Sequence, residues 1–102
     1  MKVKIPSQIK IATSSYTVGF REHLKLDDGL VGVAYHRNKA IYIDPALDTS
    51  EKAQTLLHEA IHIIDRIYGC KIDEDDTDRL AQGMAELLVN NLGIEFDWSD
   101  VK

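Results

Sequence analysis

An apolar stretch that carries two histidines and a glutamate constrains this chain more than any other feature. It reads Thr55-Leu56-Leu57-His58-Glu59-Ala60-Ile61-His62, and Ile63, Ile64 and Ile67 continue it. Flanks of this kind favour burial. Two imidazoles and a carboxylate among them are costly to bury unless something satisfies them. On a helix, residues four apart lie one turn above each other on the same face. His58 and His62 therefore aim two ring nitrogens at one point. Zinc accepts such nitrogens at about 2.0–2.1 Å in a tetrahedral shell. Glu59 is turned about 100° from His58, so it points beside the metal and not at it. From there it can take a proton from a water without being a ligand. The spacing His58-Glu59-x-x-His62 thus fits metal-assisted hydrolysis. The rival interpretation, a surface helix with two accidental histidines, is disfavoured by the apolar flanks.

The segment around the motif predicts its own helix. Asp48 with Glu51 three residues later resembles a capping box, with Thr49 and Ser50 as alternative caps. Gly69 is a stop. A helix is expected over about 49–68, with both histidines in its rigid middle. A second helix is expected over about 75–91, ending at Gly93, with Leu80, Met84, Leu87, Leu88 and Leu92 at helical spacing. Asp73, Glu74, Asp75, Asp76 and Asp78 lie at its start, where the helix dipole favours carboxylates and where solvent also accommodates them.

Upstream the pattern is β. Gln8 to Ala12 and Tyr16 to Phe20 read as a hairpin about Thr13-Ser14-Ser15, delimited by Pro6. Leu30 to Tyr35 and Ala40 to Ile43 read as a second hairpin about the turn His36–Lys39. Val31, Val33 and Tyr35 share a face, Gly32 and Ala34 fill the alternate positions, and Ile41 and Ile43 share a face. One side of this hairpin is expected to pack on a core while the other stays open. Residues 21–29, with Asp27-Asp28-Gly29, read as a loop with room for one helical turn. His23 there reads as an exposed side chain. Phe96 and Trp98 are expected to pin the tail to the body. The expected fold class is α+β: a small antiparallel sheet packed on the motif helix and on a second, antiparallel helix. One domain is expected over 1–102, with 1–47 mainly β and 48–102 mainly α.

Composition narrows the partners. A chain of 102 residues with 44% hydrophobic content suits one core. A net charge of -5 argues against a general nucleic-acid binder. The single cysteine, Cys70, cannot form an internal disulfide and fits a reducing compartment. It follows the helix stop, far from the metal level, and reads as a small apolar residue. With no signal peptide or transmembrane run recognisable, the expected location is cytoplasmic, without a membrane partner.

Two histidines leave a catalytic site incomplete, since such sites use three protein ligands and one open position. No histidine follows His62, and the downstream candidates for the third ligand are Cys70, Asp73, Glu74, Asp75, Asp76, Asp78 and Glu86. The metal sits near the level of residue 60, about 13 Å before Gly69 at about 1.5 Å per residue. An antiparallel helix after a short connection regains that level at about residues 84–86. Glu86 is the only acid there, and Gln82 and Asn90 share its face as orienting partners. Glu86 is the expected ligand, Asp78 is the runner-up, and the opposing arrangement turns Glu86 to solvent. Asp65 either orients a histidine or pairs with Arg66 or Lys52.

The runs Gly32-x-Ala34-Tyr35, Ala40 to Asp44, Gln54 to His62 and Leu80 to Glu86 together resemble a group of small phage and prophage zincins. They are similar to the ImmA/IrrE-type metallopeptidases and to minimal gluzincins, over roughly Ile9 to Leu92. The resemblance implies a small sheet over an active-site helix, with an edge strand lining the substrate cleft. By it, the segment near Gly32 to His36 holds a peptide by strand addition. It also implies a third carboxylate near the start of the following helix, where this chain has Glu74, Asp75, Asp76 and Asp78. The expected activity is zinc-dependent endopeptidase cleavage, with one Zn²⁺ on His58, His62 and Glu86 and with Glu59 as general base. An oxyanion donor is expected among His36, Tyr35, Tyr68 and Arg79. The substrate would be a peptide or protein, with a phage or host regulator among the candidates. The alternative is a metal-containing interaction or regulatory protein without peptidase activity. Glu59 counts against it, because a closed structural site needs no base. A third reading is a domain that keeps the motif without metal.

Overall fold

Strands and helices alternate little along this chain. The computed structural model describes residues 1–24 and 31–102. The expected loop residues Asp27, Asp28 and Gly29 and the expected strand residue Leu30 lie outside the described residues. The described elements are β1 (Lys2–Lys4), β2 (Gln8–Ile11), β3 (Ser14–Phe20), β4 (Gly32–Tyr35), β5 (Ala40–Ile43), α1 (Thr49–Tyr68), α2 (Glu74–Ala85), a π-helical continuation (Glu86–Asn91) and β6 (Glu95–Asp97). Among the described residues the fold is α+β, with two helices, one mixed four-stranded sheet and one parallel pair.

Both expected hairpins form. The first turns tighter than expected. Ser14 already pairs with Ile11, which leaves Ala12, at φ 54°, and Thr13 as the turn. The larger sheet is mixed and not antiparallel, in the order β2-β3-β5-β4, because β3 and β5 pair in parallel. A hairpin is a local feature of sequence, but which of its strands docks on a neighbouring hairpin is not. Here β5 is the inner strand. Ile41 and Ile43 are fully buried and Ala40 nearly so, as suits a strand covered on both sides. That leaves β4 at the edge. Cross-strand partners share a face, and Gly32 and Ala34 stand opposite Ile43 and Ile41. The small residues of β4 therefore face the core, while Val31 and Tyr35 are exposed.

Ile5, Tyr16, Val18, Ile41, Ile43, Leu47, Leu56, Ile63 and Val101 form the core. Phe96 and Trp98 pack against it, and Trp98 lies 5.9 Å from Phe20 between ring centroids. The tail is thus pinned as expected, with an addition. β6 pairs in parallel with β1, Val3 opposite Phe96, and joins the two ends of the described chain. Strands of three residues carry too little periodicity to be read beforehand.

α1 has the expected bounds. The Glu51 N–H donates to Asp48 Oδ1 at 2.8 Å, and Gly69 closes the helix in the left-handed region at φ 66°. α2 differs from expectation at both ends. Asp73 is its N-cap, accepting from the Asp76 N–H at 2.7 Å. From Glu86 onward the backbone is π-helical. Its buried positions are Thr77 and Ala81, whereas Leu80, Met84, Leu87 and Leu92 are exposed. Small residues at the contact let α2 lie close to α1, and this choice turns the leucines outward. Among the described residues no helix is long and apolar enough to cross a membrane.

Candidate metal centre

The α1 geometry brings the Nε2 atoms of His58 and His62 to 3.1 Å from each other. One carboxylate reaches both. Glu74 Oε1 lies 2.8 Å from His58 Nε2, and Oε2 lies 3.0 Å from His62 Nε2. On the far side of the His58 ring, Asp78 Oδ1 lies 2.8 Å from Nδ1. Nδ1–H donating to Asp78 leaves His58 Nε2 as a bare acceptor. Two imidazole nitrogens and a carboxylate converging on one point repel each other unless a cation or a proton sits among them. Ligands of a tetrahedral zinc lie about 3.3 Å apart, given bonds of about 2.0–2.1 Å. The observed separations are within a few tenths of an ångström of that, so the residues present fit a small divalent metal in both chemistry and spacing.

The connection between the helices explains why Glu74 stands here and Glu86 does not. Gly69 and Lys71 both adopt positive φ, and the Ile72 N–H donates to Asp65 Oδ1 at 3.2 Å. The chain therefore doubles back beside the last turn of α1 before α2 begins. Residues 69–73, if extended, span about 17 Å, more than the roughly 12 Å of helix between Tyr68 and the metal level. The return is made by the connection, and α2 starts at the level of His58 and His62. The expectation of Glu86 assumed that helix rise made the return. Glu86 instead is exposed at the start of the π-helical continuation, about 18 Å along the helix from Glu74. Asp78, the runner-up, meets His58 on the nitrogen opposite the convergence point, the place of an orienting partner. Asp65 holds the connection rather than a histidine. Cys70 is exposed. Beyond the resemblance, sequence carried a signal for this pair: Glu74 and Asp78 are four apart at a helix start, hence on one face.

Glu59 is buried, at 6% exposure, on the side of α1 toward the sheet. Burial raises its carboxyl above the ordinary value, His58 and His62 oppose this, and Glu74 adds to it. Edge strand β4 lies directly over it. A Cβ at Gly32 would sit 2.4 Å from Thr55 Cγ2 and 3.7 Å from Glu59 Cγ, so only glycine allows this approach. Two hollows of about 350 Å³ each flank the centre along β4 and share Gly32, His58, Glu59 and Glu74. One extends past Val31, Glu51 and Gln54, the other past Ala34, His62 and His36.

Of the four expected oxyanion donors, His36 alone lines this cleft. Tyr35 projects from the opposite face of β4, where its hydroxyl accepts from Arg21 Nη1 at 3.0 Å. Tyr68 is exposed at the end of α1. Arg79 pairs with Asp76 at a separate hollow beside Cys70. The sequence reading missed Tyr16, whose hydroxyl lies 2.8 Å from His36 Nδ1. No family model, no curated protein and no solved structure matches this chain. The chemistry of the centre is read from its own residues.

Proposed function

We propose that this chain is a metal-dependent endopeptidase with zinc at its centre. The observation that carries the proposal is the convergence of His58 Nε2, His62 Nε2 and the Glu74 carboxylate beside buried Glu59, beneath a sheet edge. A divalent cation held there would supply Lewis-acid charge for acidifying a water and polarising a carbonyl. His58 and His62 would hold it through Nε2 and Glu74 through its carboxylate. Asp78, accepting from His58 Nδ1–H, fixes the tautomer and direction of that ring. Partners of this kind are worth about 10- to 100-fold in metal affinity or activity. Glu59 takes the proton of the attacking water and passes it to the leaving amine.

The substrate is a peptide or protein segment in extended form. Among the described residues β4 pairs only with β5, so its other edge offers backbone groups to an added strand. Hollows on both sides of the centre leave room for a chain that continues in both directions, as an endopeptidase requires. The resemblance to ImmA/IrrE-type metallopeptidases and minimal gluzincins points the same way, including a carboxylate ligand at the start of the helix after the motif. A reducing cytoplasmic setting and a phage or host regulator as substrate remain parts of this proposal.

The test is hydrolysis of an unstructured protein by zinc-loaded wild type and Glu59→Gln. The variant is expected to keep its metal and to lose at least about 100-fold in rate. Cleavage by Glu59→Gln at the wild-type rate would overturn the assignment.

A further inference from the structure

The cleft is rich in acceptors. Glu51, Glu59, Glu74 and Asp78 all line it, and their carboxylate oxygens accept, with Glu59 committed to the water proton. The Thr55 hydroxyl already donates to the Glu51 carbonyl at 2.7 Å. When water adds to a scissile carbonyl, the π electron pair moves onto oxygen, and that charge needs a hydrogen-bond donor. Apart from the two histidines placed at the metal, two lining side chains among the described residues remain able to donate. Gln54 lies on the arm beside Glu51, and His36 lies on the arm beside His62.

His36 differs from Gln54 in being built into place. It follows β4 directly, and its ring meets Tyr16 edge-on, with centroids 5.9 Å apart and planes at 79°. Tyr16 stands on β3 at 2% exposure, so its hydroxyl is fixed by the core. Among the described residues that hydroxyl has one hydrogen-bond partner, His36 Nδ1, at 2.8 Å. The phenol must place its proton somewhere. If Nδ1–H donated to the phenol oxygen, the phenol proton would be buried without an acceptor, which is costly. The satisfied arrangement has Tyr16 donating to a bare Nδ1. A neutral imidazole then carries its proton on Nε2. Burial, then Arg66, His62 and Lys39, hold the ring below its ordinary pKa, in keeping with the neutral form.

We infer that His36 is a catalytic hydrogen-bond donor, presenting Nε2–H to the oxyanion of the tetrahedral intermediate, and that Tyr16 is the positioning residue that fixes its tautomer. The inference rests on the peptidase reading. No proton leaves His36 in this step. The water proton goes to Glu59, the new C–O bond forms to water oxygen, and the displaced π pair on the carbonyl oxygen accepts from Nε2–H.

The experiment uses the full zinc-loaded chain and has two readouts. The first is the ring-nitrogen NMR spectrum of ¹⁵N-histidine protein, which reports tautomers without any turnover. His36 is expected to show a protonated Nε2 and a bare Nδ1, with Tyr16→Phe shifting it toward a mixture. A wild-type His36 with its proton on Nδ1 overturns the inference by itself. The second is kcat and KM on an unstructured protein substrate for His36→Ala, His36→Gln, Tyr16→Phe and Gln54→Ala. His36→Ala is expected to lose about 100- to 1,000-fold in kcat, with KM and zinc content little changed. His36→Gln, which restores a donor, should recover part of the loss, and Gln54→Ala should be mild. If wild type cleaves and Glu59→Gln does not, the peptidase reading stands. A His36→Ala variant at wild-type kcat then removes only this inference. A wild type that cleaves nothing removes both.

Discussion

His58 and His36 are each set from behind by an oxygen, Asp78 for the first and Tyr16 for the second. The two oxygens act differently. A carboxylate accepting from Nδ1–H leaves Nε2 bare and suited to a metal, whereas a phenol donating to Nδ1 leaves the proton on Nε2. The same ring serves two purposes according to its partner. His36 also ties stability to pH. Its folded pKa lies below the ordinary imidazole value, through burial first and then the charges of Arg66, His62 and Lys39. Between the folded and the unfolded value, the unfolded chain binds more protons than the folded one. Stability therefore falls as pH drops below about 6.5 and stops falling below the folded pKa. In urea unfolding with chelator present, His36→Asn is expected to lose less stability than wild type between about pH 7.5 and about pH 5.5. Equal losses would show that His36 is not a linked group.

Elements decided what the sequence could and could not reveal. His58, Glu59 and His62 were legible because one turn of one helix fixes their relation. Glu74 was not, because its place depends on the path of residues 69–73 between two helices. Two residues with positive φ and the bond from Ile72 to Asp65 make that path, and no periodicity encodes it. The approach of β4 to α1 was equally hidden. Gly32 read as filler in an alternating strand, yet it is the residue that lets the sheet edge reach Glu59. This contact can be tested as a pair. Gly32→Ala places a Cβ against Thr55 Cγ2 and is expected to cost about 1–3 kcal/mol, as overpacking does. Thr55→Ser removes that methyl, so the double variant should recover most of the loss by chemical denaturation. Strictly additive effects would mean that the two residues do not meet.

Over the whole molecule, the split between a mainly β first half and a mainly α second half was legible, and so were both hairpins and α1. The mixed sheet was not, since strand order is settled by docking between hairpins. Nor was the β1–β6 pair, which joins segments more than ninety residues apart, Lys2–Lys4 and Glu95–Asp97. That closure carries the tail residues Phe96, Trp98 and Val101 onto the core, and the N-terminal ammonium donates to Gly93 O at 2.8 Å. Removing residues 94–102 is expected to lower the melting temperature by more than about 10 °C, because a domain of this size shifts by about 4–8 °C per kcal/mol. A truncated chain that melts within about 2 °C of the full one would show the tail to be passive. One quantity of the intact molecule bears most directly on the account, its metal stoichiometry. Elemental analysis of wild type, His58→Ala, Glu74→Ala and Glu86→Ala, each purified without chelator, is expected to give about one zinc per chain in wild type and Glu86→Ala and little in the other two. Zinc kept by Glu74→Ala and lost from Glu86→Ala, or no metal in wild type, would contradict it.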